Sequence, residues 1–500
     1  MRNSRTRVLT LLAAAALAFA SAQGLAYESV SDPEVTERIE EALLFDPVAP
    51  FDSIDVNTTE GIVSLTGSVN NLRARERVER IAETVRGVRS VVNRIEVQPP
   101  VKQTGEMLQR AVVQALAYDV ATEAIEIRVE ADAKGKVTLS GVVDSWQEQQ
   151  LAANVVKGVS GVTAVDNRID IVARSDRPDS EIRPEIEQRL RTDVLVDANF
   201  VDVSVNDGRV SLSGYVGSAA EKRRAEWDAW VTGVSAVDVS QLEIRDWARD
   251  PGQRDARYTP ASDQEIHQAI RDAFLYDPRL GGFDIEVRVD EGMVTLRGLV
   301  SSMAAKRAAE RDARNTAGVI AVDSLIKVRP TGRQSDEEIA TNVTAALARN
   351  PFTELAEIDV SVRNGTVYLS GNVDTQFDKV EAENVAFGAA GVTDVYNNLT
   401  VSRAEVLTYD PYVYDWSIYD YPWYENGPTV SYKSDSKIKE DIEEQFLWSP
   451  FVDGSNIDVA VESGVATLSG EVDSWSEYRT ARENAFQGGA VTVINELEVN

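Results

Sequence analysis

Residues 61–67 read Gly-Ile-Val-Ser-Leu-Thr-Gly, and this phrase, Gly-x-Val-x-Leu-x-Gly, occurs six times in the 500-residue chain. The later copies span residues 135–141, 208–214, 292–298, 365–371 and 464–470, the last with Ala466 in place of Val. The closing glycines are Gly67, Gly141, Gly214, Gly298, Gly371 and Gly470, and a further glycine follows each of them, namely Gly87, Gly161, Gly233, Gly318, Gly391 and Gly489. Repetition in register indicates one small module that is used six times.

The first copy predicts the element order helix, strand, strand, helix, strand. Residues 31–34, Ser-Asp-Pro-Glu, are typical of a helix start, and Phe-Asp-Pro at 45–47 ends that helix. Alternating apolar residues predict a hairpin that turns at Gly61 and a closing strand over 91–97, with a second helix over 72–85 between them. We therefore expect an α+β module with a mixed three-stranded sheet and two helices on one face.

The repeats also predict where the modules begin and end. The expected modules span residues 31–99, 103–174, 178–246, 262–330, 334–402 and 434–500, with a linker over 247–261 and a Tyr/Trp-rich spacer over 403–433. A module of this size has a core that is only marginally stabilising, so neighbouring modules can gain stability by packing together. The sequence leaves open whether the modules form a rod or a compact assembly, and it leaves the oligomeric state open.

The N-terminus predicts export from the cytoplasm. Arg2, Arg5 and Arg7 precede an apolar run over 8–20, and Ala-Ser-Ala at 20–22 is typical of a signal-peptide cleavage site. We expect residues 1–22 to be a signal peptide that is cleaved after Ala22, and the mature chain to be periplasmic. Because no other apolar stretch approaches the length of a membrane-spanning helix, we expect no transmembrane segment in the mature chain.

Composition excludes several classes of function. The chain has no Cys and one His, which excludes thiolate metal sites, thiol catalysis and multi-histidine sites. A formal net charge of −31 opposes binding to nucleic acid, whose affinity comes mainly from Lys and Arg contacts with phosphate. We expect no enzyme activity, no cofactor, no metal and no nucleic-acid partner.

The repeated phrase and the closing strands resemble the BON family, the bacterial OsmY and nodulation domain. The closing strands that carry the resemblance include Val-Val-Asn-Arg-Ile at 91–95, Val-Asp-Asn-Arg-Ile at 165–169, Val-Tyr-Asn-Asn-Leu at 395–399 and Val-Ile-Asn-Glu-Leu at 493–497. The resemblance covers nearly all of residues 31–500. It implies a periplasmic, non-enzymatic protein linked to osmotic and envelope stress that contacts phospholipid membranes or envelope partners.

Three features depart from the repeat or from its simplest interpretation. Pro184 falls inside the first helix of module 3 and is expected to delay or kink that helix. The closing stretch of the same module, residues 237–242, has an extra residue and no Asn, and module 4 has Ser324 where most copies have Asn. We interpret the motif glycines as structural, one supplying a positive φ at the hairpin turn and the next permitting a bulge or a close approach of the helix after the strand.

A cluster of arginines in module 1 is the first candidate contact site. Arg73, Arg75, Arg77 and Arg80 lie on the predicted second helix and are candidates for contact with phospholipid headgroups, because the arginine guanidinium binds phosphate bidentately. The alternative is a solvated helix with intrahelical ion pairs such as that between Glu76 and Arg80.

The spacer before module 6 is the second candidate contact site. Its aromatic residues include Tyr412, Tyr414, Trp416, Tyr419, Tyr421, Trp423 and Tyr424. Disordered linkers avoid such residues, so we expect the spacer either to pack across neighbouring modules or to contact a partner, a glycan or the lipid interface.

Two functions follow from these expectations. The first is protection of the envelope under osmotic or other stress through contact with phospholipid surfaces. The alternative is a multivalent scaffold or holdase-like stress protein that binds envelope proteins or wall polymers through the aromatic spacer.

Overall fold

The computed structural model describes residues 30–44, 46, 48–49, 53–101, 103–119, 122, 126–172, 177–249, 262–330, 332, 334–402, 434–449 and 451–499. The predicted signal peptide and the aromatic spacer, with its seven candidate residues, lie outside these ranges. Among the described residues there are twelve α-helices, two in each module. They are α1 Asp32–Leu44, α2 Leu72–Thr84, α3 Gly105–Tyr118, α4 Trp146–Lys157, α5 Asp179–Thr192, α6 Ala219–Asp228, α7 Asp263–Tyr276, α8 Met303–Arg314, α9 Asp336–Arg349, α10 Gln376–Gly388, α11 Asp435–Trp448 and α12 Trp475–Gln487.

The described strands are β1 Ile54–Thr59, β2 Ile62–Val69, β3 Ser90–Asn93, β4 Glu96–Val97, β5 Ile127–Ala131, β6 Lys136–Val143, β7 Ala164–Ile171, β8 Val201–Asn206, β9 Arg209–Val216, β10 Ala236–Ile244, β11 Ile285–Asp290, β12 Met293–Val300, β13 Ala321–Val328, β14 Glu357–Arg363, β15 Thr366–Val373, β16 Asp394–Val401, β17 Ile457–Glu462, β18 Val465–Val472 and β19 Thr492–Val499. The predicted order of helix, strand, strand, helix, strand is confirmed in all six modules. In module 1 the closing strand is interrupted between β3 and β4.

Each module contains a mixed three-stranded sheet, as predicted. The middle strand, which carries the Val-x-Leu residues, pairs antiparallel with the first strand and parallel with the closing strand, as β12 does with β11 and β13. Its Val and Leu side chains point to the helix face and are buried, for example Val63 and Leu65 at 0% exposure. The alternate residues point away from the helices, so every sheet has an outer face in which exposed or half-exposed positions recur.

An aspartate at the start of the first helix fixes the hairpin turn in five modules. In module 1, Asp32 accepts hydrogen bonds from the backbone N–H groups of Glu60 (2.7 Å) and Gly61 (2.9 Å). Both turn residues have positive φ, 53° and 72°, as a two-residue hairpin turn of this type requires. Equivalent bonds are made by Asp179, Asp263, Asp336 and Asp435. Module 2 has Gly105 in this place, and its turn is fixed instead by Asp132, which accepts from the N–H groups of Lys134 and Lys136.

The closing glycine of the phrase allows a close approach of the backbone at the start of the first strand, rather than of the helix as the sequence predicts. A Cβ on Gly67, which has a φ of 119°, would lie 2.0 Å from the carbonyl oxygen of Ser53. Gly298 of module 4 is the exception, because it lies outside the positive-φ region and a Cβ there would be 2.9 Å from the carbonyl oxygen of Asp284. The structural interpretation of these glycines therefore agrees with the geometry, with module 4 the least constrained copy.

The departures predicted in module 3 have different outcomes. Helix α5 begins at Asp179, the position equivalent to Asp32, and continues to Thr192, so the expected delay at Pro184 is wrong. The proline lies in the second turn, where its missing N–H removes one hydrogen bond to a preceding carbonyl without ending the helix. The extra residue in the closing stretch is accommodated, as a register shift between Asp238 and Gln241.

The six modules pack into one assembly, partly through their first helices. The last residue of the first helix is aromatic in modules 2, 4 and 6, and each of these rings contacts an arginine of another module. The pairs are Tyr118 with Arg349 (5.1 Å), Tyr276 with Arg189 (4.6 Å) and Trp448 with Arg38 (5.6 Å). Module 2 thus pairs with module 5, module 4 with module 3, and module 6 with module 1.

The second helices provide a further set of contacts between modules. Trp146 of α4 stacks on Trp230 of module 3 with ring centroids 5.2 Å apart, and it meets Trp227 edge to face at 4.4 Å. The side chain of Gln147 donates to the carbonyl oxygen of Trp230 at 2.6 Å. The backbone N–H of Ser160 in module 2 donates to the carbonyl oxygen of Arg349 in module 5 at 2.7 Å.

Candidate functional site

Helix α2, which carries the predicted lipid-contact arginines, is covered by other parts of the chain. Every residue of Leu72–Thr84 is buried or half-buried. Its apolar stripe, which includes Val78 and Ile81, packs on its own sheet, as helical spacing predicts. Its polar face lies against helices of other modules, so this arginine-rich helix is an internal element of the assembly.

Arg77 is held inside module 1. Its guanidinium contacts the carboxylate of Asp46 with an Nη2 to Oδ2 distance of 2.6 Å, and the two side chains are only 10% and 5% exposed. Asp46 also accepts from the backbone N–H groups of Val48 and Ala49, so it closes the turn after α1. The Arg77 guanidinium also lies 5.8 Å from the ring of Phe377 in module 5. Arg77 therefore links the two helices of its module to a neighbour.

Arg73 links module 1 to module 5. Its Nη1 donates to Oε1 of Glu381 at 2.8 Å, and the Glu381 side chain is 3% exposed. The remaining two candidates make local contacts: Arg75 donates to the carbonyl oxygen of Asn93 at 3.3 Å, and Arg80 pairs with Glu76 at 4.0 Å. The intrahelical pair weighed in the sequence is thus present. Contact of these four arginines with lipid is not tested by these bonds and stays a prediction.

Further ion pairs join the second helices of different modules. Glu76 of module 1 contacts Lys157 of module 2 at 2.7 Å, and Glu83 of module 1 pairs with Arg223 of module 3. In the other half of the chain, Arg307 of module 4 contacts Glu383 of module 5 at 3.1 Å. Charges that look solvated in the sequence are therefore matched across the junctions between modules.

A small cavity lies where modules 3 and 4 meet, with a contribution from α4. It has a volume of about 110 Å³. Charged residues that line it include Arg189, Asp193, Arg224, Asp228, Asp277, Arg279, Arg311 and Asp312. Carboxylates and guanidinium groups alternate around the cavity: Arg224 pairs with Asp193, and Asp277 pairs with Arg279 (2.7 Å) and Arg311 (2.6 Å).

The pKa values of these acids are shifted in opposite directions by burial and by the neighbouring arginines. Burial, together with the nearby Asp193 charge, raises the pKa of Asp228 to about 7. Burial likewise raises the pKa of Asp312 to about 6. Burial also acts to raise the pKa of Asp277, but the guanidinium groups of Arg279 and Arg311 outweigh it and hold that pKa below its usual range. Shifted carboxylates can mark an active site, but here each acid contacts a guanidinium at a junction, which favours an ion-pair network.

Matches to known proteins agree with the repeated geometry. Residues 31–99, 104–173, 178–246, 262–330, 335–403 and 434–500 each match the BON domain. The chain belongs to the BON domain family.

One BON-domain relative among the curated proteins is the osmotically inducible protein Y of Escherichia coli strain K12. It is 29% identical over 143 residues, which cover 27% of this chain and 71% of that protein.

Among solved structures, the chain resembles CdsD, a structural protein of the type III secretion system of Chlamydia trachomatis. The identity is 18%, the coverage 45% of this chain and 98% of that chain, and the TM-score 0.12. The PrgH periplasmic domain matches with 11% identity, coverage of 42% and 98%, and a TM-score of 0.10. At these TM-scores no inference rests on either structure.

The described residues of the six BON modules also bear on metal binding and on membrane spanning. No group of three or more His, Cys, Asp or Glu residues within the described ranges is placed to hold a metal ion. No helix of the described part is both long enough and apolar enough to cross a bilayer. The seven aromatic candidates of the spacer between BON modules 5 and 6 lie outside the described residues, and their role as a contact surface stays a prediction.

The sequence did not identify the residues that join the BON modules. Glu381 occupies the position in α10 that Arg77 and Arg224 occupy in α2 and α6, each six residues after the helix cap. The residue at the end of the first helix that pairs with this position also differs. Arg77 and Arg224 pair with Asp46 and Asp193, whereas Asn350, at the position equivalent to these two acids, donates to Glu381 at 2.7 Å. A comparison of charge at equivalent positions of the repeats would have singled out this exchange.

Proposed function

We propose that this chain is a non-enzymatic, exported BON-domain protein of the cell envelope that acts in osmotic or envelope stress through contact with phospholipid membrane surfaces. Membership of the family across six segments supports this proposal. So does the likeness to a protein named for osmotic induction. The lipid contact itself rests on what the family resemblance implies.

The arrangement of helices and sheets is the observation that carries the proposal. The second helices of the modules face inward, where their ion pairs and aromatic contacts join the modules, whereas the first helices keep one face exposed and all six sheets turn an accessible face outward. One chain thus displays six related surfaces at fixed spacing. Weak contacts that are repeated on one body give avidity when their spacing suits an extended target such as a membrane.

The non-enzymatic part of the proposal is supported by how the buried acids are used. The acids of the cavity between modules 3 and 4 contact arginines, as Asp277 contacts Arg279 and Arg311. Such contacts stabilise a junction, and at Asp277 they occupy both carboxylate oxygens that acid-base chemistry would need. We therefore assign this cavity to assembly.

The test is flotation of the purified mature chain with vesicles over a range of salt concentrations. One set contains phosphatidylglycerol and phosphatidylcholine in a 1:3 ratio, and the control set contains phosphatidylcholine alone. We expect flotation with the anionic vesicles that weakens as salt rises, because headgroup attraction is screened within about 10 Å at 0.1 M salt. Failure to float with either set would overturn the lipid contact.

The alternative is a scaffold or holdase-like protein that binds envelope proteins or wall polymers. The aromatic sequence of the spacer over 403–433 favours it, because exposed Tyr and Trp side chains combine an apolar face with a polar tip. Deletion of residues 409–424 distinguishes the two roles of the spacer. Loss of partner capture by a folded chain supports the scaffold, whereas a lower Tm with unchanged capture indicates that the spacer packs on the modules.

A further inference from the structure

The outer face of the sheet in module 4 differs from the outer faces of the other five modules. Four residues at one end of this face, Arg297, Leu299, Leu325 and Lys327, form what we call the module 4 patch. The middle and closing strands place them together, because Arg297 lies opposite Leu325 and Leu299 lies opposite Lys327 in the β12–β13 register. All four side chains are exposed, with Leu299 at 50% and Leu325 at 46%.

Equivalent positions in the other modules show how unusual this patch is. Arg297 corresponds to Thr66, Ser140, Ser213, Ser370 and Ser469, so it replaces a hydroxyl residue. Lys327 corresponds to Glu96, Asp170, Glu243, Thr400 and Glu498, so it replaces an acid in four of the five copies. Leu325 corresponds to Arg94, Arg168, Gln241, Asn398 and Glu496, all of them polar. The pairing at these positions is the same in modules 2, 5 and 6 and is regained in module 3 after its register shift, whereas the closing strand of module 1 is interrupted at Arg94.

The cations of the patch are available for a ligand. Within the described residues neither Arg297 nor Lys327 has an ion-pair partner, in contrast to the arginines of helix α2. The acid nearest in register to Arg297 is Glu286, which lies opposite it on β11 and contacts Arg288 at 2.7 Å. Asp323 lies opposite Thr295, one outward position further along the face. The patch is therefore a local positive area on a chain whose net charge is −31.

We propose that the module 4 patch docks on the interface of an anionic phospholipid membrane. Exposed leucines beside unpaired cations are the combination that such an interface selects, since apolar side chains enter the acyl boundary while Lys and Arg contact phosphate. The face is the surface of two adjacent strands, which suits a planar target. This inference rests on the proposed function and assigns its contact site to module 4.

The first test compares two variants with the same change of charge in the vesicle flotation assay. Arg297→Ser with Lys327→Glu installs residue types that other modules carry at these positions. Its matched control, Arg168→Ser with Lys136→Glu, makes the same change on the outer face of module 2, where both cations are paired with Asp166 at 2.8 and 3.0 Å. We expect about 25-fold weaker binding to phosphatidylglycerol vesicles for the module 4 variant, from about fivefold for each of the two cations lost near the surface.

The outcomes separate this inference from the proposed function. If the native chain binds anionic vesicles and the module 4 variant binds equally well, the site is wrong while lipid contact stands. If both variants lose binding to the same extent, the effect is one of total charge and the site is again wrong. If the native chain binds no vesicles, both proposals fail.

A second measurement asks whether the patch itself meets the lipid. Leu299→Trp places a fluorophore in the patch, and its contribution to the emission is obtained by difference from the native chain. We expect a shift to shorter wavelength on addition of phosphatidylglycerol vesicles and no shift with phosphatidylcholine. Emission that is already blue-shifted without vesicles, and unchanged by them, would show that another segment of the chain covers the patch and would overturn the proposal.

Discussion

Arg73 of module 1 donates to Glu381 of module 5 over 2.8 Å, although 308 residues separate them in the chain. Glu381 is nearly inaccessible and also accepts from Asn350 of its own module. The most arginine-rich helix of an acidic protein is thus committed in part to contacts between modules. This relationship joins two distant repeats and indicates that the six modules stabilise one another.

Removal of either partner of this pair is expected to destabilise the assembly. We expect Arg73→Ala and Glu381→Ala each to lower the free energy of unfolding by about 2 to 3 kcal/mol, because each leaves a poorly solvated charge without its partner. The double variant should cost less than the sum of the two, with a coupling of about 1 kcal/mol or more. Denaturant titration of all three variants gives these values.

Arg94→Ala, on an exposed arginine of module 1, is the control and should change stability by less than about 0.5 kcal/mol. If the losses of unfolding free energy in the two single variants were additive, Arg73 and Glu381 would not be coupled, and the proposed role of the pair would be wrong.

The aspartate at the start of the first helix is expected to stabilise its module through the hairpin turn. Asp32→Ala removes the acceptor for the N–H groups of Glu60 and Gly61, so we expect a loss of about 1 to 3 kcal/mol. Asp55→Ala, on the exposed outer face of β1, provides a control for the loss of one acid in the same module. Hydrogen exchange of the Glu60 and Gly61 amides is the measurement, and faster exchange in the first variant alone is the expected result. Equal protection in both variants would contradict it.

Two motif glycines are expected to differ in their tolerance of alanine. Gly67→Ala would bring a Cβ to 2.0 Å from a carbonyl oxygen at positive φ, whereas Gly298→Ala would bring one to 2.9 Å outside the positive-φ region. We expect a loss of about 3 kcal/mol or more for the first and about 1 to 2 kcal/mol for the second. Thermal unfolding of the two variants side by side tests this order. A larger loss for Gly298→Ala would show that φ and close approach do not set the requirement for glycine.

The buried acids predict a stability that changes with pH. Burial raises the pKa of Asp228 to about 7, above its unfolded value near 3.8, so the folded state binds the proton more tightly than the unfolded state. The contribution of this group is therefore most favourable at low pH, and it declines as pH rises from about 4 to about 7. We expect Asp228→Asn to reduce the decline in Tm between pH 5 and pH 8.

A control for the pH prediction uses an acid on the surface. Asp202→Asn, on the exposed outer face of the same module, should leave the pH profile of the native chain unchanged. A profile for Asp228→Asn that runs parallel to the native one would show that Asp228 does not titrate in this range. Asp312, Glu477 and Glu483, whose pKa values burial also raises, are expected to supply the remaining decline.

The module fold could be predicted because it is local and repeated. The phrase at 61–67 specifies a hairpin and a buried strand, and six copies made the element order, the mixed sheet and the family evident. Even the bulge in the closing strand of module 3 was signalled, by its extra residue. The predicted delay of the helix at Pro184 was wrong, because a proline near the start of a helix costs one hydrogen bond without stopping the helix.

Packing between modules could not be predicted in the same way. It depends on where the copies differ, as in the exchange of Arg77 for Glu381 and the aromatic residues that end the first helices of modules 2, 4 and 6. Within a single copy, the sequence is consistent with each of these residues facing solvent. Their partners lie in distant repeats. The module 4 patch was missed for a related reason, since its residues become neighbours only through the strand register.

Small-angle X-ray scattering of the mature chain tests the central claim, that six modules form one body with their second helices inside and the outer faces of their sheets outside. A compact chain of about this length has a radius of gyration of about 23 Å, and the ordered assembly predicts a value close to that. A string of six separate modules, each with a radius of about 11 Å, would exceed about 35 Å. A value near 23 Å that rises in the Arg73→Ala, Glu381→Ala double variant is the expected result. A value above about 35 Å for the native chain would contradict the account.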